Sequence, residues 1–404
     1  MRFSKTNRKH CFKNGLLRQV FFILSRQEIQ QMVDKHQADK WHKKFFAVDH
    51  LRVALGFVLL SFRSFRSLAV AVQPGGLLNF TGRKPLVGRS SLTDAFAHRS
   101  WRFFAEVYQA VVWQLENRLY GSPQARRRSP VKLIDATTLP LIHRLVDLFA
   151  GSKGTAAAKM NLRLDEPTQL PESLVVTQSR RHERKTVEWL IDWSQQAITY
   201  IFDRGYFCRD LFVRLINSGN FFITLLKDNI KVRTVKVNKR YVGRWYQGFQ
   251  LLADKIVQIG GDSKTGPVRL RLVKARDPKG NCWEVLTNHF DLTALEICLL
   301  YRKRWDIENF FRTLKRQLDL RELYVANANA LMIIILCTLI AYCLARTLVQ
   351  GSSEKYTLAE AIFHLQNLSP LLMNGIEEWL SEPPPKSQPV VVPANSIIVN
   401  LILS

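Results

Sequence analysis

The stretch between residues 131 and 226 constrains the fold most, because short apolar runs alternate there with segments of helical spacing. Apolar runs rich in Val, Ile and Phe are typical of strands, and apolar residues recurring every three or four positions are typical of helices. The strand-like runs are VKLID at 131–135, 159–164, ESLVVT at 172–177, AITYIF at 197–202 and NFFITLL at 220–226, and the helical segments are 183–196 and 207–216. This order predicts a mixed α/β domain built on a sheet.

Two of these runs end in an aspartate, Asp135 after VKLI and Asp203 after AITYIF. A carboxylate at the end of a strand can point into a cleft while its backbone stays in the sheet. A single aspartate in this position is also common as a turn or cap residue. Together, the two are the first candidates for catalytic side chains.

A third acid lies on a later helix, which the pattern predicts from about residue 293 to 318. The sequence YRKRWDIENFFRTLK places Tyr301, Arg304, Glu308 and Lys315 at intervals of three, four and seven residues. At about 100° per residue, these side chains share an arc about 60° wide on one helical face. Arg304 and Glu308 could form a surface ion pair. The full set of four suits a metal-binding acid flanked by phosphate-binding groups.

These motifs resemble those of DDE transposases of the insertion-sequence-four family. The four residues of the helical face match that family's Y-x2-R-x3-E-x6-K motif at every position. IDATT around Asp135 resembles the first acidic motif, Asp203 begins an Asp-Arg-Gly-Tyr run like the second, and KMNLRLD at 159–165 resembles the second strand. The resemblance covers about residues 130–345 and implies a ribonuclease-H-like core, in which three carboxylates meet at one edge of the sheet.

The resemblance implies that Asp135, Asp203 and Glu308 bind two Mg²⁺ ions, for which Mn²⁺ substitutes, with Asp135 bridging them. Three carboxylates without His or Cys suit such hard cations. Two ions about 4 Å apart activate a water and stabilise the leaving oxygen of a phosphodiester. The expected activity is cleavage at the ends of an insertion sequence, followed by joining of the 3′-hydroxyls to target DNA.

DNA contacts are implied around the acids. The residues expected to make them are Tyr301, Arg304, Lys315 and Arg204. For Arg304, the alternative is the ion pair with Glu308. Trp283, in WEVLT, is a candidate for stacking on a flipped base if the reaction passes through a DNA hairpin. A tryptophan packed beneath the β region is equally consistent with the sequence, and Trp245 and Tyr246 are rival candidates.

The segment from Asp228 to Thr287 predicts an antiparallel β insertion, because alternating runs are divided there by GG, KTG and DPKG turns. We therefore expect three parts in the chain. They are a helical, basic DNA-binding region at 1–125, a catalytic domain at 126–345 with its β insertion at about 228–290, and a helical C-terminal region at 346–404 with a Pro-rich tail.

The charge indicates a polyanionic partner. The formal net charge is +26, and residues 1–130 contain 23 Lys and Arg against 7 Asp and Glu. Double-stranded DNA is the usual partner of such a surface, and an anionic membrane is the alternative. By resemblance, this region recognises terminal inverted repeats and the enzyme acts as a homodimer on DNA. The candidate phosphate contacts are Arg63, Arg66, Arg83, Lys84, Arg89 and Arg126–Arg128.

Ala330–Ala345 is apolar nearly throughout, but a membrane span usually needs about 20 residues, so we predict a buried helix. The six cysteines are scattered without a C-x-x-C pair, which fits a reducing cytoplasm. We expect a bacterial cytoplasmic protein associated with the nucleoid, without a membrane or small-molecule partner. The rival functions are a catalytically silent DNA-binding relic or regulator, and a ribonuclease-H-like nuclease without strand transfer.

Overall fold

The computed structural model describes residues 23–43, 45–73, 87–120, 130–151, 154–241, 244–260, 266–321, 323, 325–351, 356–367 and 397–403. The candidate phosphate contacts Arg83, Lys84 and Arg126–Arg128 lie outside these ranges, as does the Pro-rich stretch 382–393.

Helices come before and between the strands of a central sheet in the sequence. In chain order they are α1 Arg26–Lys35, α2 Ala47–Leu59, α3 Phe65–Ala71, α4 Arg89–His98, α5 Trp101–Tyr120, α6 Arg209–Asn217, α7 Ala294–Arg302, α8 Arg304–Arg316 and α9 Ala328–Gly351. Residues 358–367 are also helical. The first five precede the first strand, as the apolar spacing of the N-terminal region predicts.

The strands all belong to one mixed sheet. They are β1 Val131–Leu141, β2 Ala156–Asp165, β3 Pro171–Gln178, β4 Thr199–Phe202, β5 Phe221–Leu225, β6 Val232–Arg240, β7 Trp245–Tyr246, β8 Phe249–Ile259, β9 Val268–Arg276, β10 Cys282–Thr287 and β11 Val399–Ile402. The predicted mixed α/β class is therefore confirmed.

The first five strands have the arrangement of a ribonuclease-H-like core. They lie in the order β3-β2-β1-β4-β5. The first three are antiparallel to one another, whereas β1, β4 and β5 are parallel. Parallel neighbours need a crossover connection, and α6 provides it between β4 and β5.

The predicted β insertion is antiparallel, and it extends the core sheet instead of forming a separate one. β10 pairs with β5, and β9, β8 and β6 continue outward in that order. At the opposite end of the sheet, β11 pairs in parallel with β3. No pattern in the sequence predicted this last strand.

The segment 183–196 does not form the predicted α-helix. It contains two short 3₁₀ turns, Glu183–Lys185 and Val187–Trp189. Two tertiary hydrogen bonds account for the difference. The buried Thr186 hydroxyl donates to Asn161 Oδ1 at 3.1 Å, and Arg163 donates to the Leu190 carbonyl oxygen at 2.8 Å. These bonds tie the segment to β2 and compete with helical pairing.

The predicted helix from about residue 293 to 318 is divided at Lys303 into α7 and α8. The Lys303 amide donates to the Leu300 carbonyl at 3.0 Å, an i to i+3 bond that tightens the last turn. The Lys303 ammonium also forms an ion pair with Glu166 at 2.9 Å. Tyr301 therefore lies on a different helix from Arg304, Glu308 and Lys315.

The apolar helix α9 packs against α5 and α2. Among the described residues, Ala328–Val349 is the one segment long and apolar enough to cross a membrane, and 89% of its most apolar window is buried. A buried helix was the prediction for Ala330–Ala345, and the packing agrees with it.

A cluster of buried charges holds β1, β2 and β3 together. Lys132 on β1 donates to Asp165 at 2.8 Å and also to Glu172. Arg163 donates to Glu172 at 2.9 Å. All four side chains are at most 7% exposed. Each charge has an oppositely charged partner, as burial requires.

Candidate active site

The first two predicted acids lie side by side at one edge of the sheet. β1 and β4 pair in parallel from Val131–Thr199 to Ile134–Phe202. Asp135 and Asp203 are the next residues on these two neighbouring strands, whose backbones are about 4.8 Å apart. Asp203 does end its strand, but the prediction that Asp135 ends one is wrong. β1 continues to Leu141 because it stays paired with β2 over that length.

The Asp-Arg-Gly-Tyr run has a local structural reason. Asp203 caps the 3₁₀ turn Arg204–Tyr206, and its Oδ1 accepts a hydrogen bond from the Gly205 amide at 2.7 Å. A Cβ atom at position 205 would lie 2.8 Å from that oxygen. Any larger residue at 205 would therefore push the Asp203 carboxylate out of place.

The third acid reaches the same edge from α8. Ile307, Phe310, Phe311 and Leu314 form the buried face of this helix, which packs against β1. Glu308 adjoins this face, and its Oε1 accepts from Arg304 Nη1 at 2.6 Å. The structure thus contains the ion pair that was the alternative role for Arg304.

Electrostatic coupling connects the three carboxylates. Burial, together with the nearby charges of Asp203 and Glu308, raises the pKa of Asp135 from 3.8 to about 7. A hydrogen bond from the Ala136 amide and the charge of Arg304 oppose this rise. A carboxylate whose pKa is raised by burial and by other carboxylates is typical of a catalytic or cation-binding site.

A cleft opens between β1 and α8, lined by Asp135, Glu308 and Lys315. The Lys315 ammonium donates to the Thr138 carbonyl oxygen on β1 at 3.0 Å. Three arginines that the sequence reasoning missed also line the cleft, namely Arg312, Arg316 and Arg321. Arg312 and Arg316 follow Glu308 at i+4 and i+8, about 40° and 80° from it around the helix, so a face wider than the 60° arc would have included both.

The other predicted DNA contacts, Tyr301, Trp283 and Arg204, are engaged with partners other than the three acids. Tyr301 is only 4% exposed, and its ring meets that of Trp283 edge to face at 5.4 Å. Trp283 also contacts Phe249 at 5.0 Å, so it is packed beneath the insertion in this conformation. Arg204 forms an exposed ion pair with Asp228 at 3.2 Å. Trp245 and Tyr246, the rival candidates, are 52% and 41% exposed.

The donor set fits a hard cation. Within the described ranges, no three Asp, Glu, His or Cys side chains are close enough together to hold a metal ion as they stand. Each carboxylate has one oxygen engaged locally, by Ala136, Gly205 or Arg304. Hydrogen bonds from the described residues leave the second oxygen of each open. Three oxygen donors of this kind suit Mg²⁺ or Mn²⁺.

The ribonuclease-H-like sheet and its edge carboxylates define a class of nucleic-acid-cleaving enzymes. A family model described as "Transposase DDE domain" matches residues 126–344. The chain belongs to this DDE transposase family, whose members cleave DNA, transfer its strands and generally use divalent metal ions.

The chain is similar to two curated proteins over much of its length. It is 30% identical to "Putative transposase y4zB" of Sinorhizobium fredii over 279 residues, which is 68% of this chain and 75% of that protein. It is 28% identical to "Probable transposase for insertion sequence element IS5377" of Geobacillus stearothermophilus, over 56% of this chain and 58% of the relative. A solved piggyBac transposase synaptic complex with hairpin DNA covers 94% of this chain at 12% identity and a TM-score of 0.49, and 84% of that chain is covered.

Proposed function

We propose that Asp135, Asp203 and Glu308 are the catalytic triad of an insertion-sequence transposase of the insertion-sequence-four type. The observation that carries this proposal is the convergence of three elements on one sheet edge. Two neighbouring parallel strands supply the aspartates, and a helix packed on β1 supplies the glutamate. The raised pKa of Asp135 supports their proximity.

These carboxylates would hold two Mg²⁺ ions, with Mn²⁺ able to substitute. Bound metal supplies activation of the attacking oxygen and stabilisation of the leaving one. The residues of the chain position the reactants. The cap at Gly205 fixes the direction of Asp203, and the ion pair with Arg304 fixes that of Glu308.

Arg304 is suited to two tasks at once. One of its guanidinium nitrogens binds Glu308. Its side chain remains 14% exposed, so the accessible part of the guanidinium can still donate to a phosphate oxygen. Lys315, on the same helix, lines the cleft, and burial lowers the pKa of its ammonium group. In our proposal both residues contact the phosphates that flank the scissile bond.

The remaining parts of the proposal concern the assembly. The basic N-terminal helices recognise the terminal inverted repeats, and two copies of the chain assemble on DNA so that both ends are processed together. Arg63, Arg66 and Arg89 are exposed and support this role. The protein would work in the bacterial cytoplasm, in association with the nucleoid.

The test uses a plasmid that carries the DNA flanking the gene on both sides. Asp135→Asn, Asp203→Asn and Glu308→Gln should each abolish Mg²⁺-dependent cleavage and leave binding to the same DNA intact. Asp306→Asn is the matched control, since Asp306 lies on the same helix and contacts Gln169 instead of the cleft. Cleavage by any of the three site variants at the wild-type rate would refute the assignment.

A second measurement separates strand transfer from simple cleavage. The cleaved DNA is incubated with a circular target, and joined products are detected by amplification across the junction. Joined 3′ ends would identify a transposase, whereas cleavage without joining would identify a nuclease. Binding without either product would identify a silent relic.

A further inference from the structure

The outer edge of the β insertion carries a concentration of positive charge that the active site does not use. Residues 231–241 and 244–246, which we call the basic edge, contain six cations and no acid. The cations are Lys231, Arg233, Lys236, Lys239, Arg240 and Arg244, and each is exposed. Within the part of the chain that the structure describes, none of the six forms an ion pair.

The acid opposite Lys239 on the neighbouring strand does not neutralise this edge. Asp254 on β8 lies opposite Lys239 in the strand register. It is 5% exposed and accepts two hydrogen bonds from Arg271, at 3.0 and 2.8 Å. Its charge is therefore already paired inside the sheet. The cations outside it keep their full attraction for a polyanion.

The basic edge is an open border of the sheet, and two register shifts in the pairing of β6 with β8, between Thr234 and Lys236 and between Val237 and Lys239, bend it. β6 is the last strand in the sheet order, and eight of its nine residues are exposed. β6 and β7 both pair with β8, whose 11 residues extend for about 37 Å at about 3.4 Å per residue. That length is close to one turn of duplex DNA, which is about 34 Å.

One end of the basic edge is anchored beside the catalytic helices. The hairpin turns at Gln247 and Gly248, whose φ angles of 46° and 83° match a tight two-residue turn. Arg302, at the end of α7, donates to the Gln247 carbonyl oxygen at 3.1 Å. Arg302 is two residues before Arg304, so the hairpin tip with the exposed Trp245 and Tyr246 lies near the start of α8.

From these observations we propose that the basic edge binds the backbone of double-stranded DNA over about one helical turn, beginning beside the active site. The proposal rests on the proposed function, because it assigns the edge to DNA that continues from the cleaved site. Unpaired cations bind the phosphates. Trp245 and Tyr246 add aromatic surface at the end nearest the catalytic helix.

The alternative is that the cations only protect an open strand edge. Charged side chains on edge strands prevent pairing with another chain. Edge protection needs only a few charged side chains, and these can be positive or negative. It does not require two exposed aromatic rings at the hairpin tip. The two roles predict different outcomes when the charge is removed.

The test compares two quadruple variants of the full chain. The neutral variant carries Arg233→Gln, Lys236→Gln, Lys239→Gln and Arg240→Gln. The matched control keeps the charge, with Arg233→Lys, Lys236→Arg, Lys239→Arg and Arg240→Lys. Circular dichroism and the melting temperature verify that both are folded.

The affinity for a 40-base-pair duplex of arbitrary sequence is measured in EDTA from 50 to 300 mM salt. Each phosphate contact contributes about 0.9 to the slope of log K against log salt. The loss of only two contacts would lower the slope by about 1.8 and weaken binding about thirtyfold at 0.15 M salt. We expect at least this change in the neutral variant and none in the charge-preserving control.

Three results would overturn the proposal. One is a neutral variant whose DNA affinity and slope of log K against log salt equal those of the wild type. Another is association of the neutral variant into larger species while its monomer binds DNA normally, since this outcome identifies edge protection as the role. The third is an equal loss in both variants. Because binding is measured without divalent metal, failure here leaves the cleavage test of the catalytic triad unaffected.

Discussion

Replacing Glu172 by Gln should destabilise the protein strongly, because this carboxylate pairs with two buried cations. Glu172 is 2% exposed and accepts from Lys132 and from Arg163. In the variant, Lys132 keeps Asp165 as its partner. The Arg163 guanidinium keeps the Leu190 carbonyl oxygen but loses its carboxylate. Breaking a buried pair by removing one partner costs about 3–5 kcal/mol.

The lowered pKa of Glu172 implies a loss of unfolding free energy of similar size. The charges of Lys132 and Arg163 lower this pKa from 4.5 to about 2, against the opposing effect of burial. At about 1.4 kcal/mol per pKa unit, the folded state gains about 3 kcal/mol from the ionised group. Since the folded pKa is the lower one, this stabilisation is present above pH 4.5. It is lost as the pH falls towards 2.

Chemical denaturation followed by circular dichroism measures the effect. At pH 7 the Glu172→Gln variant should lose about 3 kcal/mol of unfolding free energy, and its difference from the wild type should shrink as the pH falls from 5 to 3. Glu183→Gln is the control, because Glu183 pairs with Lys159 and is 31% exposed. That variant should lose less than about 1 kcal/mol. A loss below 1 kcal/mol for Glu172→Gln, or a difference that does not depend on pH, would refute the reasoning.

Three further predictions concern the cleft and the insertion. Arg316→Gln should raise the KM for DNA cleavage about fivefold and leave kcat unchanged, as expected for one lost phosphate contact; a fall in kcat alone would contradict this. Trp283→Ala should lower the unfolding free energy by about 2 kcal/mol through lost aromatic contacts, whereas the exposed Trp245→Ala should change it by less than about 0.5 kcal/mol. If Trp283→Ala also nicks DNA normally and resolves hairpins at the full rate, a role in base stacking is refuted. Gly248→Ala should cost about 1–2 kcal/mol in a denaturation assay, because φ is +83° at this position, while Gln247→Gly should cost nothing; equal stability of both variants would count against the turn assignment.

The sequence alone predicted most of the core sheet and the identity of the acids. Strands are recognisable because their apolar residues are local and contiguous, as in the runs that contain Leu133 and Ile201. The spacing around Glu308 was informative because helical geometry converts intervals of three, four and seven residues into one face. These features depend on neighbours along the chain, so no tertiary information was needed.

Several features depended on residues that are distant in sequence. Thr186 and Leu190 leave helical geometry because they bond to side chains on β2. β11 forms because β3 offers an open edge more than 200 residues earlier in the chain. Trp283 is packed against Tyr301 because two elements of the insertion and α7 meet there. Local periodicity depends only on residues near in sequence, so it cannot predict such partners.

The sequence by itself therefore determined the class of the chain, through the order of its strands and the spacing of its acids, cations and glycine. Only the tertiary structure decided that Asp135 lies within a long strand, that Arg304 pairs with Glu308, and that three more arginines line the cleft. It also placed a row of cations, which form no ion pair among the described residues, on an open edge beside α7 and α8. The physical reason is the same in each case. The role of a charge or of a strand edge depends on which residues folding places next to it, and these residues are distant in the sequence.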